Sequence, residues 1–385
     1  MGPTRVIATT NRTDVDGVAR RITVLDGWRG VSILLVIYGH FATERYWNHS
    51  PINLNYRIAD ALSTFGVCIF FVISGLIITK LALREQDASG QFSVGNFYKR
   101  RFFRIVPPYF LYLSCILLLT AGGMIAQHYA GILWAAAFLC DLPQAECGWF
   151  GGHSWSLAYE EQFYLLFPLL FVSLGRRMSV TICVLFTTLL AIPVLRYVLR
   201  LGPPWYEVCH AAFYLSFICV GALVATLGDT MKQLSVRRHA GKVACGAALI
   251  LVGLVLLEAV SRAHPSVWRY QQARMLLTPT LEPLCIAWLV GSSLYAANWF
   301  TRLLNTWAMQ FVGMISYSLY LWQELFTADP SNYFGASWLM FPPLMIICAA
   351  LSYYFIERPA SRFAKRIAGS RGSVAVGWKP MPEKP

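Results

Sequence analysis

The chain has 385 residues, of which 57% are hydrophobic and 13% charged, with a formal net charge of +13 at pH 7 and a mean hydropathy of +0.51. Soluble domains carry about 25% charged residues, so a water-soluble globular fold is excluded and a multi-spanning membrane protein is expected. The basic residues lie in short loops between apolar runs, the distribution that topology control produces, which argues against a nucleic-acid partner.

In chain order, residues 1–20 are polar and lack the apolar core and small-residue cleavage site of a signal peptide; they read as a flexible N-terminus. Eleven apolar runs follow, at approximately 24–43, 61–82, 105–126, 129–142, 155–174, 178–199, 211–227, 243–260, 275–297, 310–327 and 336–356. The fourth is too short for a simple span and reads as a re-entrant or interfacial piece. Arg20 and Arg21, the 80–104 loop, Arg176 and Arg177, the 232–242 loop and the tail from Arg358 to Arg366 are strongly basic, whereas 127–154 and 328–335 hold no Lys or Arg. If the fourth run does not span, every strongly basic segment falls on one side. The expected fold is therefore an all-α membrane protein of about ten transmembrane helices, with one short re-entrant or interfacial segment and both termini cytoplasmic. The 261–274 loop, with Arg262, Arg269 and Arg274, is the one exception. Residues 21–366 form the membrane domain, and 367–385 read as a flexible cytoplasmic tail.

No internal repeat or inverted half-symmetry is visible, which weighs against a secondary transporter. The ten cysteines include no CxxC pair, so no metal site is expected. Cys140 and Cys147 flank a short loop. They either pair, if that loop faces an oxidising compartment, or are two unrelated thiols.

Three constellations could carry chemistry. The first is Asp26, Arg29 and His40 on the first run. Arg29 and His40 are eleven residues apart, on nearly the same face of a helix and roughly 16 Å apart along its axis. They cannot touch, so if both act they act at two ends of one track. An intramembrane histidine either bonds a neighbouring helix or works; its ordinary pKa near 6.5 suits a general base.

The second constellation is the basic and aromatic stretch Asn96–Tyr109, which reads as an interfacial helix with Pro107 or Pro108 opening the next span. Arg101 and Arg104 share a face at i and i+3, where they could grip phosphates in bidentate fashion or serve only as a positive-inside anchor. The third is His153–Tyr164, in which Ser156, Glu160 and Tyr164 line one helical face and Glu161 turns away. In the ten-span reading this stretch lies at the extracytoplasmic end, opposite Arg29, and Glu160 is either a helix-entry carboxylate or a group that binds an acceptor hydroxyl or orients His40.

Weaker signals complete the reading. The 65–75 stretch has small residues where helices could approach closely. Glu282 beside Pro283 suggests a broken helix lining a cavity. Tyr317, Tyr320 and Glu324 share one face of the tenth run.

Together these stretches resemble the acyltransferase family 3 membrane proteins, O-acyltransferases that modify bacterial surface polysaccharides and some macrolides. The matching pieces are LDGWRG…GH at 25–40, FGVCIFFVISG at 65–75, FYKRRFFRIVPPYF at 97–110, WSLAYEEQFYLLFP at 155–168, ISYSLYLW at 315–322 and IERP at 356–359. They run in the family's order over residues 25 to about 366. The resemblance implies a multi-pass protein of the bacterial cytoplasmic membrane that transfers an acyl group, often acetyl, from cytoplasmic acyl-CoA to a sugar hydroxyl. It makes acyl-CoA a donor substrate and not a permanently bound cofactor.

On matching positions, the resemblance makes Arg29 and His40 an Arg-x10-His element, Arg101 and Arg104 an RxxR element, and Glu160 the acidic residue after WSL. Arg29, Arg101 and Arg104 would hold CoA. His40 would act as base or carry the acyl group briefly, Asp26 would orient Arg29, and Glu160 would place the acceptor or tune His40. Gln323 stands where many members have His, which puts in doubt any role for a second histidine there. The alternatives are acylation of a glycosylated natural product such as a macrolide and, from another class, a glycolipid flippase.

Overall fold

In lipid, a chain can satisfy its own backbone groups only as helices or as a closed barrel, and apolar runs of this length are expected to become helices. The structure is a computed structural model that describes residues 23–45, 54–174, 178–199, 202, 205–237, 239–335 and 341–369. The N-terminal segment 1–20, the basic pairs Arg20/Arg21 and Arg176/Arg177, residues 336–340 of the last apolar run and the tail from 370 lie outside the described residues.

The described residues form helices α1 (Thr23–Arg45), α2 (Leu54–Ser89), α3 (Val94–Ala121), α4 (Tyr129–Ala136), α5 (Gly148–Gly152), α6 (Ser154–Leu174), α7 (Met178–Leu199) and α8 (Trp205–Thr226). They continue as α9 (Gly228–Ser235), α10 (Ala240–Ala263), α11 (Trp268–Ser293), α12 (Trp299–Leu304), α13 (Trp307–Met314), α14 (Ser316–Thr327), α15 (Pro342–Ser352) and α16 (Arg358–Gly369). Among the described residues there is no strand, only an isolated bridge between Ile125 and Tyr333. Six stretches are long and apolar enough to cross a membrane: Leu54–Ser89, Val94–Ala121, Gly148–Leu174, Val208–Thr226, Ala240–Ala263 and Trp268–Ser293. With the composition, this makes the chain a multi-pass membrane protein.

The fourth apolar run yields only the eight residues of α4, about 12 Å of helix against a hydrocarbon core of about 30 Å. Two expectations about boundaries give way. Pro107 and Pro108 do not open a new helix: α3 runs unbroken through both. Their missing N–H groups free the carbonyls of Phe103 and Arg104. The tenth run is not one helix either. It is α13 and α14, meeting at Ile315.

Close helix approach explains the small residues. Gly66 faces the Ser32 carbonyl, and a Cβ at Gly75 would collide with the carbonyl of Ile218. On the other side of the same contact, a Cβ at Gly221 would collide with the Val72 carbonyl. α2 is thus clamped between α1 and α8, and the 65–75 stretch is a packing seam. Gly313 likewise lets α13 touch the α1 backbone at Asp26.

At the centre stands α14, where Ser316 and every residue from Ser318 to Thr327 is buried. A π-helical turn, Tyr353–Glu357, joins α15 to α16 and brings Glu357 inward, where Ser318 donates to it at 2.9 Å. The IERP stretch is therefore a brace for the LYLW helix.

Candidate active site

Three arginines from two helices distant in sequence meet at one cavity of about 80 Å³. Arg29 comes from α1, Arg101 and Arg104 from α3. Val67 to Ile77 of α2, Ser156, Glu160 and Tyr164 of α6, and Ser316, Tyr317 and Tyr320 of α14 complete the lining. Asp26 lies one turn below Arg29 and holds it at 3.5 Å. The Arg101 guanidinium sits over the Tyr164 ring, 5.3 Å from its centre, a geometry that fixes the head group by cation–π attraction. The expected i, i+4, i+8 face of α6 is present, since all three of its residues line the cavity and Glu161 does not.

Glu160 is the sole carboxylate among the lining residues. It accepts from the Tyr164 hydroxyl at 2.9 Å, and Ser74 meets the same hydroxyl at 2.5 Å. The sequence reading put Glu160 toward the opposite end of the bundle from Arg29. The structure instead puts it with the arginines, because α6 and the proline-containing α3 both approach α14 at that level; Tyr317 there donates to the Ile105 carbonyl at 2.9 Å.

His40 stands apart from the arginines, as the eleven-residue spacing requires. It is half-buried, and its Nδ1 lies 2.9 Å from Gln323 Oε1. The Thr327 hydroxyl donates to the Gln323 backbone carbonyl at 3.0 Å; Gln323 Oε1 is an amide oxygen and can only accept, so in this arrangement His40 Nδ1 carries the proton. The Gln323 amide nitrogen is buried without a partner. The Trp149 ring packs edge-on against the imidazole, with centroids 5.6 Å apart, and its Nε1 donates to the Glu324 carbonyl at 3.0 Å.

Next to this pair is a second one that the sequence did not reveal. His153 Nδ1 and Glu324 Oε2 lie 2.5 Å apart, both side chains buried. The Tyr320 hydroxyl donates to the His153 carbonyl at 2.8 Å and meets Ser156 at 2.6 Å. α14 thus faces the arginine cavity with Tyr317 and Tyr320, His40 with Gln323, and His153 with Glu324. Gln323 was visible in the sequence only as a departure from the usual histidine. The Cys140–Cys147 disulfide is formed and closes the segment leading into Trp149 and His153.

An acyltransferase domain family model matches residues 22–357. A Staphylococcus aureus (strain COL) protein whose name provisionally makes it an O-acetyltransferase is 25% identical over 391 residues, covering 94% of this chain and 59% of its own length. O-acetyltransferase OatA of Staphylococcus aureus (strain NCTC 8325 / PS 47) is 23% identical over 368 residues, with 88% and 57% covered. The chain spans about three fifths of the length of these curated relatives. No solved structure matches. With the family model covering the whole helical bundle that builds the arginine cavity and the His40 pair, the chain belongs to acyltransferase family 3.

Proposed function

We propose that the chain is a membrane O-acyltransferase that moves an acyl group, acetyl first among them, from cytoplasmic acyl-CoA to a hydroxyl of a sugar in a surface polysaccharide or glycolipid. The observation that carries this reading is the arginine cavity, where three guanidiniums face a single carboxylate. That excess of positive charge, away from bulk water, suits the phosphates of a CoA thioester, and guanidinium forks match phosphate oxygens in pairs. The Glu160 carboxyl lies among the arginines, held by the Tyr164 hydroxyl. Asp26 holds Arg29 in place.

The axial distance of roughly 16 Å between Arg29 and His40 is covered by the pantetheine arm, with the thioester beside His40. The proton on Nδ1 leaves the Nε2 lone pair for catalysis. Nε2 takes the acceptor hydroxyl proton as the oxygen attacks the thioester carbonyl. A C–O bond forms, the C–S bond breaks, and the CoA thiolate takes the proton from His40 as it leaves. The buried amide N–H of Gln323 is available to the oxyanion on the way. The relatives' names support acetyl as the group transferred.

In this reading ten passes are counted: the six apolar helices together with α1, α7, the α13–α14 pair and α15 with its π turn. Both termini are cytoplasmic. The disulfide in the segment without Lys or Arg favours an oxidising side for that segment, and Trp149 ties the same segment to His40. The His40 end is then extracytoplasmic and the arginine end cytoplasmic.

Purified protein in nanodiscs, given acetyl-labelled CoA and a polysaccharide or glycolipid acceptor, tests the proposal. The label should move to the acceptor. Label that stays on CoA while the lipid-linked acceptor changes leaflet would show a flippase instead.

A further inference from the structure

A second cavity, of about 250 Å³, lies between α2, α7, α8, α10 and α11 and takes no part in the acyl-transfer site. It is walled off from the arginine cavity by aromatic packing. Phe71, which lines the arginine cavity, meets edge-on the ring of Tyr214, which lines this one, with centroids 5.8 Å apart. The cavity approaches the roughly 300 Å³ at which small-molecule sites begin, and it is far from a dry void.

Its rim is an ion-pair network. Glu258 accepts from Arg262 Nε at 2.7 Å and from Arg274 Nη1 at 3.1 Å, and Arg262 also pairs with Asp60. Both rim arginine side chains are 32% exposed, so the mouth is open. The floor is closed: Thr278 and Glu282 are each 7% exposed. Arg274, Thr278 and Glu282 recur at i, i+4 and i+8 of α11, one stripe about 12 Å long. α11 is continuous through Pro279 and Pro283, so Glu282 lines a cavity as the sequence suggested, without the broken helix.

Two atoms of that stripe are unused. The Thr278 hydroxyl and Arg274 Nε are buried and have no hydrogen-bond partner. A buried polar group left unpaired costs about 1–3 kcal/mol, and two on one stripe mark a place for a ligand. Opposite the stripe stand Phe65, Phe213 and Tyr214.

The charges decide the ligand class. Arg196, Arg262 and Arg274 line the cavity with Glu258 and Glu282, but Glu258 is held by both Arg262 and Arg274 and Arg262 also by Asp60, so the rim charges are spent on one another. A phosphate would have to break those pairs to take the guanidiniums, and a cation would meet the arginines at the mouth. A neutral molecule with several hydroxyls can donate to Glu282, exchange with Thr278 and accept from Arg274, while its C–H faces rest on the aromatic wall. We propose that this cavity is a binding site for a neutral polyhydroxylated ring, a sugar unit, separate from the place where acyl transfer occurs.

Saturation-transfer NMR on the protein in nanodiscs tests this with methyl glucoside, methyl galactoside, methyl mannoside and methyl N-acetylglucosaminide as probes, and inorganic phosphate as control. At least one glycoside should give a saturable signal that phosphate does not displace. Thr278→Val and Glu282→Gln should each weaken it about tenfold or more, with unchanged monodispersity and thermal unfolding, while Arg104→Gln in the other cavity should not. Absence of saturable binding by every glycoside, persistence of the signal in both α11 variants, or displacement by phosphate would overturn the proposal. No acyl donor is needed, so failure here leaves the acyl-transfer reading standing.

Discussion

Replacing Gln323 by Leu removes two things at once: the acceptor for His40 Nδ1–H, now at 2.9 Å, and the partnerless amide N–H beside the imidazole. The first loss leaves a donor unpaired and the ring free to turn or change tautomer, worth about 1–3 kcal/mol. The second removes an oxyanion donor, worth about 10²–10³ in kcat. Each 1.36 kcal/mol is tenfold in rate, so Gln323→Leu should lower kcat by at least about 10²-fold. The Michaelis constant for acetyl-CoA should hold, because Gln323 does not line the arginine cavity. Gln323→Glu keeps an oxygen acceptor for Nδ1–H but not the amide donor, so it should fall between the two. The assay is steady-state transfer of labelled acetyl in nanodiscs, with donor and acceptor varied separately. Wild-type kcat in Gln323→Leu, or a loss confined to the acetyl-CoA Michaelis constant, would refute the role given to this pair.

Three further outcomes follow from other parts of the structure. Arg101→Lys and Arg104→Lys keep charge but lose the planar fork, so each should raise the Michaelis constant for acetyl-CoA about tenfold with little change in kcat; unchanged donor binding by equilibrium dialysis would remove the arginine cavity from the mechanism. Glu324→Gln takes from His153 the buried carboxylate oxygen that meets its Nδ1 and backbone N–H and should destabilise the fold by about 1–3 kcal/mol, read as a lowered thermal midpoint in detergent; an unchanged midpoint would make the pair incidental to stability. Cys140 and Cys147 should resist maleimide until reduced. Their reduction should cost about 2 kcal/mol for the seven-residue separation, and ready labelling of the untreated protein would contradict the disulfide.

What could be read from the chain alone followed physical scale. Helix content and the packing role of the 65–75 stretch rest on local composition, and both were legible. So was the separation of Arg29 from His40, because a helix axis fixes it without any tertiary knowledge. Gathering Arg29 with Arg101 and Arg104 needed the motif resemblance, since nothing local to α1 or α3 says that they meet.

Glu160 was placed at the wrong end of the bundle because a charge near a helix start reads as an end group, and only the packing of α6 on α3 and α14 shows its level. His40 and Gln323 are 283 residues apart, and His153 and Glu324 171 apart; such pairings leave no period in either helix. The break at Ile315 was hidden for a different reason. It occurs inside an apolar run with no proline to announce it, two residues after Gly313 touches the α1 backbone at Asp26.

In the proposed reaction His40 moves the acceptor proton while the arginine cavity holds the donor. His40→Ala, purified in nanodiscs, separates the two in one experiment that measures acetyl transfer and CoA binding on the same sample. Transfer should fall by at least about 10²-fold with CoA bound as tightly as by the wild-type protein. Transfer by His40→Ala at the wild-type rate would contradict this role for His40.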